Sequence, residues 1–174
     1  MSQSPVPAPL WRRLIAAVYD GLVLLGLWMA ALLLEMLVRE NLFGLGKNFT
    51  VLQALMFGVG LAFFGWFWVH GGQTLGMRAW RLQVRRLDGA PLRWPISAVR
   101  YTAMIATWGL VLTPTLPALP RYAGNTQLQA AALVCGLAAL AIAALMQFEA
   151  RRRAPCDWAA GTEVVVTPPR TADT

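Results

Sequence analysis

The stretch LIAAVYDGLVLLGLWMAALLLEMLV, residues Leu14 to Val38, is apolar along its whole length except for Asp20 and Glu35. About 20 helical residues cross a hydrocarbon layer of about 30 Å, so this stretch can span a membrane. The composition agrees, since the chain is 57% hydrophobic and only 13% charged. Three further apolar runs follow, at residues 51–69, 98–116 and 128–148. The sequence therefore predicts an all-α membrane protein, a bundle of four transmembrane helices.

The third run is the most irregular of the four. Pro114 lies near its end, and Pro117 and Pro120 follow it. Proline removes a backbone donor, and membrane helices tolerate it where protein or water satisfies the freed backbone groups. We therefore expect the third span to be short, tilted or broken.

The basic residues are distributed unevenly between the segments that connect these runs. Twelve of the fifteen Lys and Arg residues precede the first run, lie between the second run and the start of the third, or follow the fourth. Only Arg39, Lys47 and Arg121 lie in the other connections. The positive-inside rule therefore predicts that both termini are cytoplasmic, with the Arg-rich segments near anionic lipid. No nucleic-acid motif accompanies the net charge of +7, so we expect no nucleic-acid partner.

A non-helical pattern occupies residues 80–94, between the second and third runs. Leu82 and Val84 alternate with polar residues, and Asp88-Gly89 is a preferred hairpin turn. The pattern predicts a small cytoplasmic β-hairpin between helices 2 and 3, with its Arg side chains facing headgroups or solvent.

Asp20 is the most informative single residue, because a carboxylate at mid-helix costs about 2.5–3.5 kcal/mol even on lenient insertion scales and usually marks function. Arg13 lies seven residues earlier, about 10 Å along a helix, which is long for a direct pair. We expect Arg100 to be the partner, with Tyr101, His70 and water as alternatives. Paired with Arg100, Asp20 would lock the first span to the third. Unpaired in apolar surroundings, it would be able to take up a proton.

Signals for an enzyme, a metal or a cofactor are lacking. The two cysteines, Cys135 and Cys156, form no CxxC motif, the chain has one His, and neither HExxH nor GxSxG occurs. A protease-like pair of Asp20 and Asp157 is unattractive, because Asp157 follows an Arg run and is expected outside the hydrocarbon. We therefore predict no catalytic residues, no cofactor and no metal.

Several motifs occur in a distinctive order. They are WRRLIAAVYD (11–20), GGQTLGMRAWRLQV (71–84), LDGAPL (87–92), VRY (99–101) and PCDWAAGTEVVV (155–166). In this order they resemble the RDD family of mostly bacterial integral membrane proteins, named for an arginine and two aspartates. The resemblance makes Arg13 the arginine, and Asp20 and Asp157 the aspartates. The sequence departs from the family pattern at Cys156, Trp158 and Met77, where His, a basic residue and Lys are common.

This resemblance implies an RDD-type transmembrane domain over residues 11–166, with a C-terminal motif at 155–166. Residues 1–10 and 167–174 are predicted to be disordered. It also implies a bacterial cytoplasmic (inner) membrane location. Whether Asp157 folds back on Arg13 or on Arg100 stays open.

Two functional hypotheses follow. Transport of an unknown ligand is suggested for the family, with cation/proton antiport proposed for some members, so the first is exchange of an ion or small solute, in a homo-oligomer because four spans are few. The second is a non-transporting scaffold in which the same residues lock helix packing and the hairpin binds another protein. The candidate ion- or substrate-binding residues are Asp20, Arg13, Arg100, Asp157 and Tyr101.

Overall fold

The computed structural model describes residues 6–43, 48–122, 124–149 and 153–167, without the side chains of residues 40–43. Within these ranges, the chain forms six α-helices and two short strands. The helices and strands are α1 (Leu10–Phe43), α2 (Phe49–Gly71), α3 (Leu75–Ala79), β1 (Leu82–Arg86), α4 (Trp94–Leu112), α5 (Thr126–Phe148), α6 (Pro155–Ala160) and β2 (Thr162–Val166). Two 3-10 segments, Thr113–Ala118 and Pro120–Tyr122, connect α4 to α5.

Four of the described helices are long and apolar enough to cross a membrane, as predicted. These segments are Leu10–Arg39, Phe49–Gly71, Trp94–Ala118 and Thr126–Phe148. The first helix has 34 residues, or about 51 Å at 1.5 Å per residue, which exceeds the hydrocarbon thickness. Its first turns are therefore available for contacts outside the apolar layer.

The third span changes helix type where the sequence predicts an irregularity. The α-helix ends at Leu112, and the 3-10 segment that continues it contains Pro114 and Pro117. Proline has no N–H to donate to the preceding turn, so the regular hydrogen-bond pattern cannot continue. The irregularity expected in the third span therefore takes the form of a change of helix type.

The four long helices pack side by side in an open row. Among the described residues, α1 packs on α2, α2 on α4, and α4 with its 3-10 extension on α5, and no comparable contact joins α5 to α1. Leucine side chains of α5 such as Leu133 and Leu137 stay about 70% exposed. Apolar side chains gain little by leaving lipid for protein, so the hydrophobic effect does not close the row.

The predicted hairpin is wrong in its pairing. β1 forms as the alternation indicates, with Leu82 and Val84 buried, but its partner is β2 near the C-terminus. The strands are antiparallel, with Leu82 opposite Val166 and Arg86 opposite Thr162. Pro91 lacks a donor, and α4 begins at Trp94, so the residues after the Asp88-Gly89 turn cannot form a full strand. The β-branched run of β2 takes that place, and its Glu163 pairs with Arg85 across the strands at 2.5 Å.

The N-terminal residues also join this sheet, which corrects the predicted disorder for residues 6–9. Pro7 forms a bridge with Val165, Ala8 N–H donates to the Val164 carbonyl at 3.1 Å, and Val166 N–H donates to Val6 at 3.0 Å. Residues 1–5 and 168–174 lie outside the described residues.

Residues 6–9, α3, β1, α6 and β2 together form a small unit that we call the cap. It lies at one end of the helical row, where α1 and α4 begin and α2 and α5 end. The two ends of the described chain and the connection between α2 and α4 therefore meet at the same end of the molecule. This end also carries most of the arginines.

Candidate functional site: two aspartates beneath the cap

Asp157 forms the first of two buried polar sites between the cap and the long helices. It lies on α6 with a side chain that is 0% exposed. One carboxylate oxygen accepts from Arg13 of α1, and the other accepts from Arg100 of α4. The oxygen that meets Arg13 also accepts from the Ala154 N–H at 2.8 Å. One aspartate thus joins the C-terminal motif to both helices.

Arg100 is the central cation of this site, and its side chain is only 3% exposed. Besides Asp157 it donates to the Thr162 hydroxyl at 2.5 Å. Its guanidinium carbon lies 5.0 Å from the centre of the Trp68 ring, a distance at which a cation is attracted to an aromatic face. Arg100 therefore brings α2, α4, α6 and β2 together around one charge.

The charges at this site keep Asp157 ionised. Burial by itself raises the pKa of Asp157, but the positive charges of Arg100 and Arg13 outweigh it. Hydrogen bonds from Ala154 and Arg13 act in the same direction, and the pKa falls from 3.8 to about 2. At neutral pH Asp157 is therefore a carboxylate whose charge is already balanced inside the protein.

Asp20 forms the second site, on α1, and is 2% exposed. Its carboxylate accepts from the Thr74 hydroxyl at 2.5 Å and from the Gly76 N–H at 2.8 Å. Thr74 also caps α3 by accepting from Met77 N–H at 3.3 Å. Among the described residues no Lys, Arg or His forms an ion pair with Asp20. Both of its partners are neutral.

Gly76 makes the Asp20 site possible because α3 lies directly against α1. A Cβ atom at this position would collide with the Ala16 carbonyl oxygen and come within 3.1 Å of the Asp20 carboxyl carbon. Only glycine lets its N–H approach the carboxylate this closely. The close packing of α3 on α1 at Gly76 therefore allows the hydrogen bond to Asp20.

Comparison with protein-family models identifies the relatives of this chain. The model described as the RDD family matches residues 7–161, which is most of the sequence. The chain belongs to the RDD family. No curated protein and no solved structure gives a significant match. Together with the four apolar helices, family membership makes this a membrane protein.

The predicted site residues of this RDD protein do not form one cluster. Arg13, Arg100 and Asp157 meet as a group, and the open question about Asp157 is answered by both arginines at once. The predicted pair of Asp20 and Arg100 is wrong. The Arg100 guanidinium pairs with Asp157 instead. The Asp20 carboxylate accepts hydrogen bonds from Thr74 and Gly76.

The alternative partners predicted for Asp20 also lie elsewhere. Tyr101 is 1% exposed and packs between Phe57 and Phe64 of α2, with ring centres 5.2 and 5.8 Å away. His70 stacks on Trp66, with ring centres 3.9 Å apart, and its Nδ1 lies 2.9 Å from the Trp66 carbonyl oxygen. Both side chains therefore have packing roles in this structure.

Sequence reasoning missed Thr74 and Thr162, the hydroxyl partners of the two sites. Both are 0% exposed, and both belong to motifs that carry the family resemblance. A threonine before a short helix signals an N-cap, and one that opens a β-branched run signals a strand. Neither signal says which charged residue the hydroxyl will meet, because that depends on contacts more than 50 residues apart in sequence.

Three further buried polar atoms belong to Arg100 and to residues of α2 and α4. The Trp68 indole N–H, the Ser97 hydroxyl and the Arg100 Nε are buried, and none has a hydrogen-bond partner among the described residues. No group of three His, Cys, Asp or Glu side chains suited to a metal occurs within the described part of the chain. Cys156 is buried, and burial raises the pKa of its thiol. It therefore stays neutral at physiological pH.

Proposed function

We propose that this RDD protein exchanges a proton or a small cation across the bacterial cytoplasmic membrane, with Asp20 as the carboxylate that binds it. One observation carries the proposal: Asp20 is 2% exposed, and its partners are the Thr74 hydroxyl and the Gly76 N–H. A carboxylate removed from water without a cation leaves its desolvation cost only partly compensated. A bound proton or alkali cation would supply the missing neutralisation.

The second site supports the same assignment by contrast. Asp157 already has two guanidinium partners, so an added cation would meet net positive charge there. We therefore assign Arg13, Arg100 and Asp157 to holding the cap in place, and the ion to Asp20. The proposal involves no covalent chemistry, and it treats the protein as a non-enzyme.

For orientation we propose that the cap faces the cytoplasm, with both termini inside. The charge bias of the sequence supports this, since twelve of its fifteen Lys and Arg residues precede the first apolar run, lie between the second run and the start of the third, or follow the fourth. Because the four long helices form an open row, we further propose that a homo-oligomer completes the path for the ion. The exposed faces of α5 are suited to that role.

The decisive experiment uses purified protein in proteoliposomes that hold a pH gradient. Addition of Na⁺, K⁺ or Li⁺ should collapse the gradient with wild-type protein. Asp20→Asn removes the charge and keeps an acceptor for Gly76, so flux should fall to the level of empty liposomes. The matched control is Glu35→Gln, which neutralises another carboxylate of α1, a residue paired with Arg39 at 2.6 Å, and should keep most of the flux.

A second candidate function, a non-transporting scaffold, draws support from the Asp157 site. A cap joined to α1 and α4 through one aspartate presents a fixed surface on which another protein can assemble. This hypothesis predicts no flux in any variant and a lower melting temperature for Asp20→Asn. Reproducible flux that depends on Asp20 would exclude it, and absence of flux from well-folded wild-type protein would exclude transport.

A further inference from the structure

The outer surface between α1 and α2 carries a groove that none of the roles above uses. It is a shallow, open groove with a volume of about 460 Å³. Its lining side chains are all apolar: Leu27, Val59, Ala62, Phe63, Trp66 and Phe67. They extend along the half of α2 nearest the cap, from Phe67 to Val59, which is about 12 Å at 1.5 Å per residue. That length suits an acyl chain in one leaflet.

A positively charged side chain, that of Arg78, lies at the cap end of this groove. The guanidinium carbon of Arg78 lies 5.9 Å from the centre of the Phe67 ring, and Phe67 lines the groove. Arg78 is exposed and forms no ion pair with any described carboxylate. His70, stacked on the lining residue Trp66, is at the same end. An apolar groove that ends at an unpaired arginine matches a molecule with an apolar tail and an anionic head.

We propose that the groove between α1 and α2 binds one anionic phospholipid, with an acyl chain along Ala62 and Phe63 and the phosphate at Arg78. Charge complementarity selects this occupant over a zwitterionic lipid, because a basic residue near an anionic headgroup favours binding about fivefold. A tail without a charged head would leave Arg78 without a counter-ion. The bound lipid would fasten α3 of the cap to α2, independently of any transport.

Native mass spectrometry of the full chain in detergent tests this, with phosphatidylglycerol and phosphatidylcholine of identical chains added stepwise. Wild-type protein should retain one phosphatidylglycerol about fivefold more tightly than phosphatidylcholine. Arg78→Gln should remove that preference, whereas Arg93→Gln should keep it, because Arg93 precedes α4, which does not line the groove. Ala62→Phe fills the groove from a lipid-facing position and should weaken binding of both lipids.

Several results would overturn the proposal. One is equal retention of the two lipids by the wild type, and another is an unchanged preference in Arg78→Gln. A third is unchanged lipid binding in Ala62→Phe, since the groove would then not hold the tail. A lipid-free dimer that Ala62→Phe dissociates would instead assign the groove to a second copy of this chain.

Discussion

Asp20 and Asp157 are both buried where the cap meets the long helices, yet they differ in the charge of their partners. Asp157 accepts from two guanidinium groups, and Asp20 accepts from a hydroxyl and a backbone N–H. The first carboxylate therefore has cationic partners, whereas the partners of the second are neutral. Because only Asp20 lacks a cationic partner, we expect the two aspartates to differ in their capacity for an external cation.

The largest effect should follow from removing the balanced aspartate. Asp157→Ala leaves Arg13 and Arg100 without their shared counter-ion, and Arg100 is only 3% exposed. Breaking a buried ion pair from one side costs about 3–5 kcal/mol of unfolding free energy. Unfolding by sodium dodecyl sulfate, followed by tryptophan fluorescence, measures this loss.

Asp88→Asn is the matched control, because it also removes one aspartate from an arginine partner. Asp88 is exposed at the turn after β1, where it pairs with Arg86 at 2.5 Å. Surface pairs of this kind contribute about 0–1 kcal/mol. Equal losses in the two variants would contradict the central role that we give to Asp157.

The next largest effect should come from Gly76→Ala, which acts on the Asp20 site. The added methyl group would collide with the backbone carbonyl of Ala16, so α3 must move away from α1. Forcing extra volume into such a contact costs about 3 kcal/mol. Gly21→Ala is the control, since a Cβ at Gly21 meets nothing within 4 Å, and it should be neutral or stabilising. Similar melting temperatures for both variants would argue against the tight contact.

The pH dependence of stability should distinguish the Asp157 site from the Asp20 site. The pKa of Asp157 is about 2 in the folded protein, below its ordinary value of 3.8. Stability from this group is therefore present above pH of about 4 and is lost as the pH falls to about 2, with a size of about 2 kcal/mol. Melting temperatures in detergent should decline over this range in wild-type protein. The melting temperature of Asp157→Asn should be lower at neutral pH and should decline less in acid. Parallel declines in the two proteins would show that other carboxylates cause the acid effect.

The helices were predictable because their signal is local. The apolar runs identify four segments of membrane length, and Pro114 and Pro117 mark where the third one breaks. The pair of Glu35 and Arg39 likewise follows from i, i+4 spacing on one helix. Each of these features depends on residues close together in sequence.

The pairing of β1 was not predictable from such signals. The alternation of Leu82 and Val84 indicated a strand, and the Asp88-Gly89 turn suggested a local partner. The actual partner, β2, is about 80 residues away along the chain. Strand partners depend on which segments the helices bring together, and the ends of α4 and α5 determine that here.

The sequence by itself determined the membrane class, the four spans and the list of charged residues near the cap, because hydropathy and charge spacing act along the chain. Only the tertiary structure decided which charge meets which partner. From the sequence alone, Arg100 could pair with either aspartate. In the structure, the short turn at Gly76 places α3 against Asp20. α6 places Asp157 beside both arginines. A buried carboxylate binds whichever donors lie within about 3 Å of it, and that distance is set by the packing of distant segments.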